Sequence, residues 1–339
     1  MADDRPLRIL QVSSALTWGG GETHLAGLIA GLRARGHQVL TAGRPASAIA
    51  ADFPFAFRNQ LDLVTVARQR AQLRATPFDI VHAHLGRDYP LVCAAAAGLP
   101  RTRVVCTRHL LYPLRRNPLY ARVNGWIAPS RPIAASLQRL RPRHLAVIPH
   151  GLELEKFPFH PHPPHHPLTL GLLGQISPHK GHADALAALR ELGRGYRLCI
   201  AGEGRESYLR RLKTSARGLP VEFRPFTPPL DFFREIDILL APSWDEPFGL
   251  VILEAMAAGI PVIAGDRGGP ADIIAAGRDG ILAPPRSPSV LAAAVRALAS
   301  DPGALSRLAR QARQKIEEEF TLDRMIRQVE EFYRELLAG

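Results

Sequence analysis

The stretch from Pro242 to Gly265, P-S-W-D-E-P-F-G-L-V-I-L-E-A-M-A-A-G-I-P-V-I-A-G, constrains the fold of this chain more than any other. The apolar run Ile236 to Ala241 ahead of it suits a buried strand, and Asp245-Glu246-Pro247 reads as a loop. Leu250 to Ala258 has helical composition until Gly259 stops it, and a second strand, Pro261 to Ala264, follows at once. A strand, a loop and a helix in that order set the backbone N–H groups of Phe248, Gly249, Leu250 and Val251 at a helix N-terminus. There both the unpaired donors and the helix dipole favour a phosphate. Pro247 has no N–H to leave orphaned, and Gly249 lets a ligand approach the backbone.

Two carboxylates bracket this turn, Glu246 before the helix and Glu254 inside it. A diphosphate would repel both, so beside one they make sense as acceptors for hydroxyl groups, those of a ribose and a sugar. Spacing alone equally allows Glu246 to be an exposed loop acid and Glu254 a helix-surface acid.

The same alternation runs along the whole chain. Leu7 to Ser13 is strand-like, Thr17-Trp18-Gly19-Gly20-Gly21 breaks it, an amphipathic helix runs from about Glu22 to Arg35, and Gln38 to Thr41 is the next strand. This opens a doubly wound sheet with a glycine-rich first turn. Strands ending at His84, at His109, near Ser130 and near Gly151 follow, with a helical segment at Leu91 to Ala97. Proline density then forbids regular structure in P-F-H-P-H-P-P-H-H-P, residues 158–167, which reads as an extended interdomain linker. Its four histidines, His160, His162, His165 and His166, invite a metal site, but a polyproline linker is not expected to fix ligand geometry and no carboxylate or cysteine lies among them. A second β/α half begins with the strand Leu168 to Leu173, the turn from Gly174 to Gly181 and the helix His182 to Leu192. The chain ends in helices, the last from Asp323 to Leu337.

The stretch 242–265 resembles the signature of the retaining glycosyltransferases of family 4, P-S-x-x-E-P-F-G-L-x-x-L-E-A-M-A-x-G-x-P-V-I-A, and matches it almost throughout. Gly268 to Ile274 and Asp279 to Pro285 extend the resemblance, as do Gly19 to Gly21 and I-P-H-G-L-E, where His150 and Glu153 stand for the usual Asn and Asp. The resemblance implies an α/β chain of the GT-B fold, two Rossmann-like β/α/β domains facing each other across a cleft. On that reading residues 1–157 are the acceptor-side domain and 168–322 the nucleotide-sugar domain, with helix 323–339 crossing back to the first. It implies transfer of a hexose-like sugar from a nucleotide diphosphate sugar to a glycan or lipid-linked acceptor. The leaving diphosphate would help deprotonate the acceptor, with no metal and no cofactor. Glu246 would meet the donor sugar, Glu254 the ribose, and Gly20 and Gly21 would lie near the donor phosphates. Lys180 would neutralise charge on the departing diphosphate, the kind of preorganised term that dominates many catalytic steps. Its companion position holds Gln175 where the family carries arginine, with Arg205 and His179 as substitute cations. His109 would stand near the donor sugar and acceptor, with His82 and His84 also at a strand's C-terminal end. Taken by themselves, Lys180 could be an exposed helix-start lysine and His109 a strand-end histidine. A GT-B epimerase or phosphorylase, or a catalytically silent binding protein, remains open, and Gln175 is the feature that favours the silent reading.

Length and charge set the remaining expectations. A chain of 339 residues is too long for one ordinary core. Cys93, Cys106 and Cys199 are odd in number and form no C-x-x-C pair, which suits a reducing cytoplasm. The opening M-A-D-D-R-P carries acids where a secretory signal needs bases, and no run of apolar residues is long enough to cross a bilayer. Residues 1–160 carry 21 Lys and Arg against 9 Asp and Glu, whereas residues 161–339 carry 22 of each, so the net +12 lies wholly in the first half. An anionic partner is implied for that half. No nucleic-acid motif accompanies it, so the arginines between Arg108 and Arg122 and between Arg131 and Arg143, interleaved with leucine and tyrosine, suggest an anionic membrane surface. Those leucines and tyrosines could equally be core.

Overall fold

The computed structural model describes residues 5–339; the acidic opening at 1–4 lies outside the described residues. The chain divides into two compact units, residues 1–151 with 322–339, and residues 152–321.

The first unit is a seven-stranded sheet in which every recorded strand pair is parallel. Its elements are β1 (Arg8–Val12), α1 (Gly20–Ala34), β2 (Gln38–Gly43), β3 (Phe53–Pro54), α2 (Leu63–Ala75), β4 (Ile80–Ala83), α3 (Asp88–Ala95), β5 (Arg103–Thr107), β6 (Gly125–Ala128), α4 (Arg131–Leu137) and β7 (Leu145–Val147). The order β3-β2-β1-β4-β5-β6-β7 reverses direction at β1, which leaves a crevice outside the carboxyl ends of β1 and β4, where such sheets take ligands. The helix α2 escapes a periodicity reading because two of the three residues on its buried stripe, Thr65, Gln69 and Leu73, are polar. Asp62 caps it by accepting from the Thr65 N–H at 3.0 Å.

The second unit contains β8 (Leu168–Leu173), α5 (His182–Leu192), β9 (Tyr196–Ala201), α6 (Glu206–Ser215), β10 (Val221–Arg224), α7 (Pro229–Phe233), β11 (Ile238–Ala241), α8 (Leu250–Ala258), β12 (Val262–Gly265), α9 (Pro270–Ile273), β13 (Ile281–Ala283), α10 (Pro288–Ala299) and α11 (Pro302–Glu319). Its six strands are again parallel, in the order β10-β9-β8-β11-β12-β13, and reverse at β8. Both sheets are covered by helices, so their strands are near-continuous apolar runs rather than alternating ones.

The last helix, α12 (Leu322–Ala338), belongs to the first unit. Met325, Ile326, Val329, Phe332, Tyr333 and Leu336 form one buried stripe at helical spacing. Burial of each apolar member stabilises by about 1.5–3 kcal/mol. It lies close against α1 because Gly31 has no side chain: a Cβ there would stand 1.9 Å from the Ile326 Cδ1. Glu330 completes the seam with Arg35 at 2.6 Å and Arg334 at 2.8 Å.

The proline- and histidine-rich stretch 158–167, expected as a linker, lies inside the second unit, whose boundary falls instead at Gly151–Leu152. It has no regular structure, as its prolines require, but it is pinned along its length. The His160 N–H donates to the Ala258 carbonyl, His162 bonds the Ile236 carbonyl through Nε2 at 3.0 Å, and the His165 N–H and ring Nδ1 lie 2.9 and 2.8 Å from Asp237 Oδ1. Asp237 is buried and also accepts from the Thr169 N–H at 2.6 Å. Hydrogen bonds to a buried acid, which composition does not reveal, hold the segment down.

Candidate functional site

In the second unit three loops converge beyond the carboxyl ends of β8, β11 and β12. The first, residues 174–181, is tied to the second where the Trp244 N–H donates to the His179 carbonyl at 2.7 Å. Gly181 sits at φ +74°, and a Cβ there would stand 2.1 Å from the Pro242 carbonyl oxygen, so only glycine lets these two backbones cross. The third loop holds the second from the other side, the Gly269 N–H donating to the Glu246 carbonyl at 2.8 Å. Trp244 is clamped by its indole N–H to Asp184 Oδ2 at 2.7 Å and by the Arg286 guanidinium 4.0 Å above its ring.

This clamping brings together Lys180 and Glu246, 66 residues apart in sequence. Lys180 Nζ donates to Glu246 Oε2 at 2.6 Å, and Ser243 Oγ donates to the same oxygen at 2.9 Å. Both side chains are largely buried, 29% and 12% exposed, so the pair is only partly screened by solvent. Directly after it Gly249, at φ +112°, turns the chain into α8. By helix geometry the N–H groups of Leu250 and Val251 have no partner within α8. Phe248 contributes its side chain to the core at 4% exposure, so only its backbone can face a ligand. One turn into α8, burial pushes the Glu254 carboxyl up to about 7. Gln175 and Arg205 are both exposed, on neighbouring loops joined by the Ile176 N–H to the Glu203 carbonyl at 2.7 Å.

In the first unit the glycine-rich turn enters α1 two residues earlier than composition suggests, so that Gly20 and Gly21 are its first two residues. Neither has a positive φ; their use is the missing side chain. A Cβ on Gly21 would lie 4.0 Å from His109 Cγ. His109 follows β5, and around it stand His24 of α1, His84 after β4 and His150 after β7, with ring centroids 5.4, 5.8 and 5.3 Å from that of His109. Burial depresses all four, His109 to about 4, so they are neutral at pH 7. His82 has a different place. It is fully buried in β4, with Nδ1 2.6 Å from the Tyr333 hydroxyl and Nε2 2.7 Å from Thr107 Oγ1, and burial brings it to about 3. Its two ring nitrogens are both spent inside the unit. In the sequence His84 and His109 stand out by their place after strands, His150 only as a departure from the family's asparagine, and His24 not at all. The available signal was that each lies just past a strand end, or at the helix start, on the same edge of one sheet.

The two basic stretches of this unit also meet. Arg116, Arg139, Arg141 and Arg143 line one groove of about 540 Å³ together with Tyr120 and Pro142. No ion pair is recorded for these four arginines among the described residues. The apolar residues between them divide: Leu111, Leu114, Leu119 and Tyr120 pack against the core, whereas Leu110 and Tyr112 are 49% and 73% exposed. Arg108 is buried and donates to the Tyr112 carbonyl, so it does not belong to the groove. No helix among the described residues is long and apolar enough to cross a membrane.

Comparison with known proteins brings two family descriptions, "Glycosyltransferase Family 4" over residues 18–156 and "Glycosyl transferases group 1" over residues 155–315. A glycogen synthase of Mycobacterium tuberculosis is 36% identical over 185 residues, covering 52% of this chain and 45% of that protein. A D-inositol 3-phosphate glycosyltransferase of Streptomyces bingchenggensis is 38% identical over 109 residues, 32% of this chain and 24% of that one. The chain thus spans less than half the length of the curated relatives it matches. Among solved structures, Anabaena HepE in complex with UDP and glucose superposes with a TM-score of 0.84 at 20% identity, covering 96% of this chain and 99% of that one. A glycosyltransferase from Rickettsia africae does so with a TM-score of 0.88 at 19% identity, covering 99% of this chain and all of that one. At such identities the likeness speaks for the fold, two parallel-sheet α/β halves of the GT-B kind.

Proposed function

The chain belongs to glycosyltransferase family 4, and from that membership we propose that it moves a hexose-like sugar from a nucleotide diphosphate sugar to a lipid-linked or cell-envelope glycan, with retention at the anomeric carbon. The observation that carries the reading is the Lys180–Glu246 pair at 2.6 Å beside the N-terminus of α8. A cation, a row of backbone donors and a hydroxyl acceptor on one loop cluster suit a diphosphate next to a sugar.

In this mechanism the donor's diphosphate settles on the N–H groups of Phe248 to Val251 and takes Lys180 from Glu246. Glu246, still held by Ser243, is then free to accept from the sugar hydroxyls, and Glu254 accepts from the ribose. As the anomeric bond breaks, Lys180 and the α8 dipole stabilise negative charge on the leaving diphosphate. That diphosphate receives the acceptor's proton on the face it departs from, so no side-chain nucleophile is used. Arg205, one loop from Gln175, supplies the second cation that the family places at position 175. His109, neutral at pH 7, orients the acceptor or the sugar by a hydrogen bond rather than by charge. The Arg116, Arg139, Arg141 and Arg143 groove, with Leu110 and Tyr112 exposed nearby in sequence, suits an anionic membrane leaflet. That would hold the protein peripherally on the inner face of the cell membrane.

The test is a screen of uridine, guanosine and adenosine diphosphate sugars by thermal shift, followed by product analysis with a lipid-linked acceptor and assignment of the new anomeric centre by NMR. A stabilising donor with a retained anomer supports the reading, and an inverted anomer overturns it. Gln175 favours one alternative, a catalytically silent binding protein; a donor that stabilises the chain yet gives neither transfer nor hydrolysis would decide for it.

A further inference from the structure

The histidines around His109 form a group that the transfer reaction leaves unexplained. His24 and His84 are 6% and 3% exposed. His24 Nδ1, His84 Nδ1 and both ring nitrogens of His109 are buried and have no hydrogen-bond partner among the described residues. A buried polar atom left unsatisfied costs about 1–3 kcal/mol, so a core that assembles several of them calls for a ligand. One ring nitrogen from each of His24, His84 and His109 lies within 4.8 Å of the others. Three nitrogens on a tetrahedral ion, with bonds of about 2.0–2.1 Å, stand roughly 3.4 Å apart, so from separations of up to 4.8 Å each pair closes by at most about 1.4 Å, shared between its two rings.

The surroundings fix the tautomer that such an ion needs. The Gln11 amide donates from Nε2 to the Tyr333 hydroxyl at 3.3 Å, which leaves its Oε1 to accept from His84 Nε2 at 2.7 Å. The Tyr333 proton then goes to His82 Nδ1 at 2.6 Å, and His82 Nε2 donates to Thr107 Oγ1 at 2.7 Å. Every proton in this relay has one place. It puts the His84 proton on Nε2 and its lone pair on the unpartnered Nδ1, the arrangement in which a ligating imidazole is held by an amide or carboxylate behind it. An all-imidazole set without a carboxylate selects a borderline cation over magnesium or calcium.

We propose that His24, His84 and His109 bind one divalent cation of the zinc class inside the first unit, with Gln11 as the residue that positions His84. The His150 ring stands beside the group, 4.1 Å from that of His24 and 5.3 Å from that of His109. The assignment stands apart from the glycosyltransferase reading, since it needs no sugar nucleotide. Occupancy would take up a nitrogen of His109, so a bound cation would slow any reaction that uses that residue.

The test uses the full chain freed of metal by a chelator and titrated with cobalt(II), then with zinc against a chromophoric competitor. The expected result is one tight equivalent with the visible bands of a four-coordinate cobalt, undisturbed by excess magnesium or calcium. His84→Gln and His24→Gln should each weaken it at least a hundredfold. Gln11→Leu should weaken it about ten- to a hundredfold while all three ligands remain, a loss typical of an outer-shell partner. Because His84 is deeply buried, His24→Gln near the start of α1 keeps the test open if the other variant fails to fold. Among the described residues a second group, His162, His165 and Asp237, also has metal-ligand geometry, so His162→Ala/His165→Ala serves as the control and should leave the equivalent in place. No tight equivalent in the wild type, or one lost only in that control, overturns the assignment, as does one insensitive to His24→Gln.

Discussion

Replacing Glu254 with glutamine should make the free protein more stable at alkaline pH while weakening its hold on a nucleotide. Burial raises this carboxyl from the ordinary 4.5 to about 7. The folded state therefore binds the proton more tightly than the unfolded state does. The stability this contributes is complete below pH 4.5 and is lost as pH rises through 7. A shift of that size corresponds to roughly 3 kcal/mol at most, at about 1.4 kcal/mol per pH unit. Glutamine keeps the shape and never ionises, so the variant should gain up to that amount at about pH 8 and nothing near pH 5. In a unit of this size a gain of 2–3 kcal/mol is a rise in Tm of roughly 5–10 °C. Ribose hydroxyls donate more strongly to the ionised form than to the neutral acid or an amide, and the ionised fraction rises about tenfold between pH 6 and pH 8. Calorimetry on both proteins across that range, with the nucleoside diphosphate picked out by the thermal-shift screen, gives a ratio of affinities from which the phosphate's own titration cancels. That ratio should climb, by up to tenfold, in favour of the wild type as pH rises. A ratio independent of pH, or a variant no more stable than wild type at high pH, would falsify the assignment of Glu254 to the ribose.

Lys180→Ala should cost two to three orders of magnitude in turnover, the usual scale for removing a preorganised stabiliser of developing charge, whereas Gln175→Arg should be neutral or activating; a large loss in the arginine variant, read by steady-state kinetics, would mean that Arg205 or another group already fills the space. Acid should weaken the fold early: His82, His109 and His182 titrate near 3, 4 and 4 when folded, below the ordinary 6.5, so the unfolded chain takes up protons first and stability falls below pH 6.5. Each contributes about 2 kcal/mol of loss by pH 5; Glu254, raised by burial to about 7, opposes it over the same range, so the urea melts are run on Glu254→Gln, and stability that stays level between pH 6.5 and 5 in that variant would refute it. Vesicles of anionic lipid should sediment the protein at low salt, with about 1 kcal/mol per engaged arginine, and release it near 1 M salt, where the Debye length is about 3 Å. Arg139→Glu/Arg141→Glu should abolish the association, and equal binding to neutral vesicles would count against it.

What the sequence determined by itself is what short-range chemistry controls. The helix Leu250–Ala258 is legible to the residue because Gly249 and Gly259, both at positive φ, bound a run of good helix formers. The strand Leu168–Leu173 and the helix His182–Leu192 are equally plain, since buried parallel strands and helix ends between glycines leave marks in adjacent residues. The doubly wound architecture follows from that alternation. Long-range contact decided the rest. The helix α2 was hidden because its buried stripe is largely polar, with Thr65 held by Asp62. The stretch 158–167 looked like a linker because nothing in it announces the buried Asp237, 70 residues on, that ties it down. Lys180 and Glu246 could be named singly, but their direct pairing depends on two loops crossing at Gly181. The histidine group is the extreme case. Its members come from α1 and from the ends of β4, β5 and β7, and the Tyr333 that orients part of it arrives on the last helix. Side chains that far apart in the chain meet only when the sheet has closed, and no local pattern records the meeting.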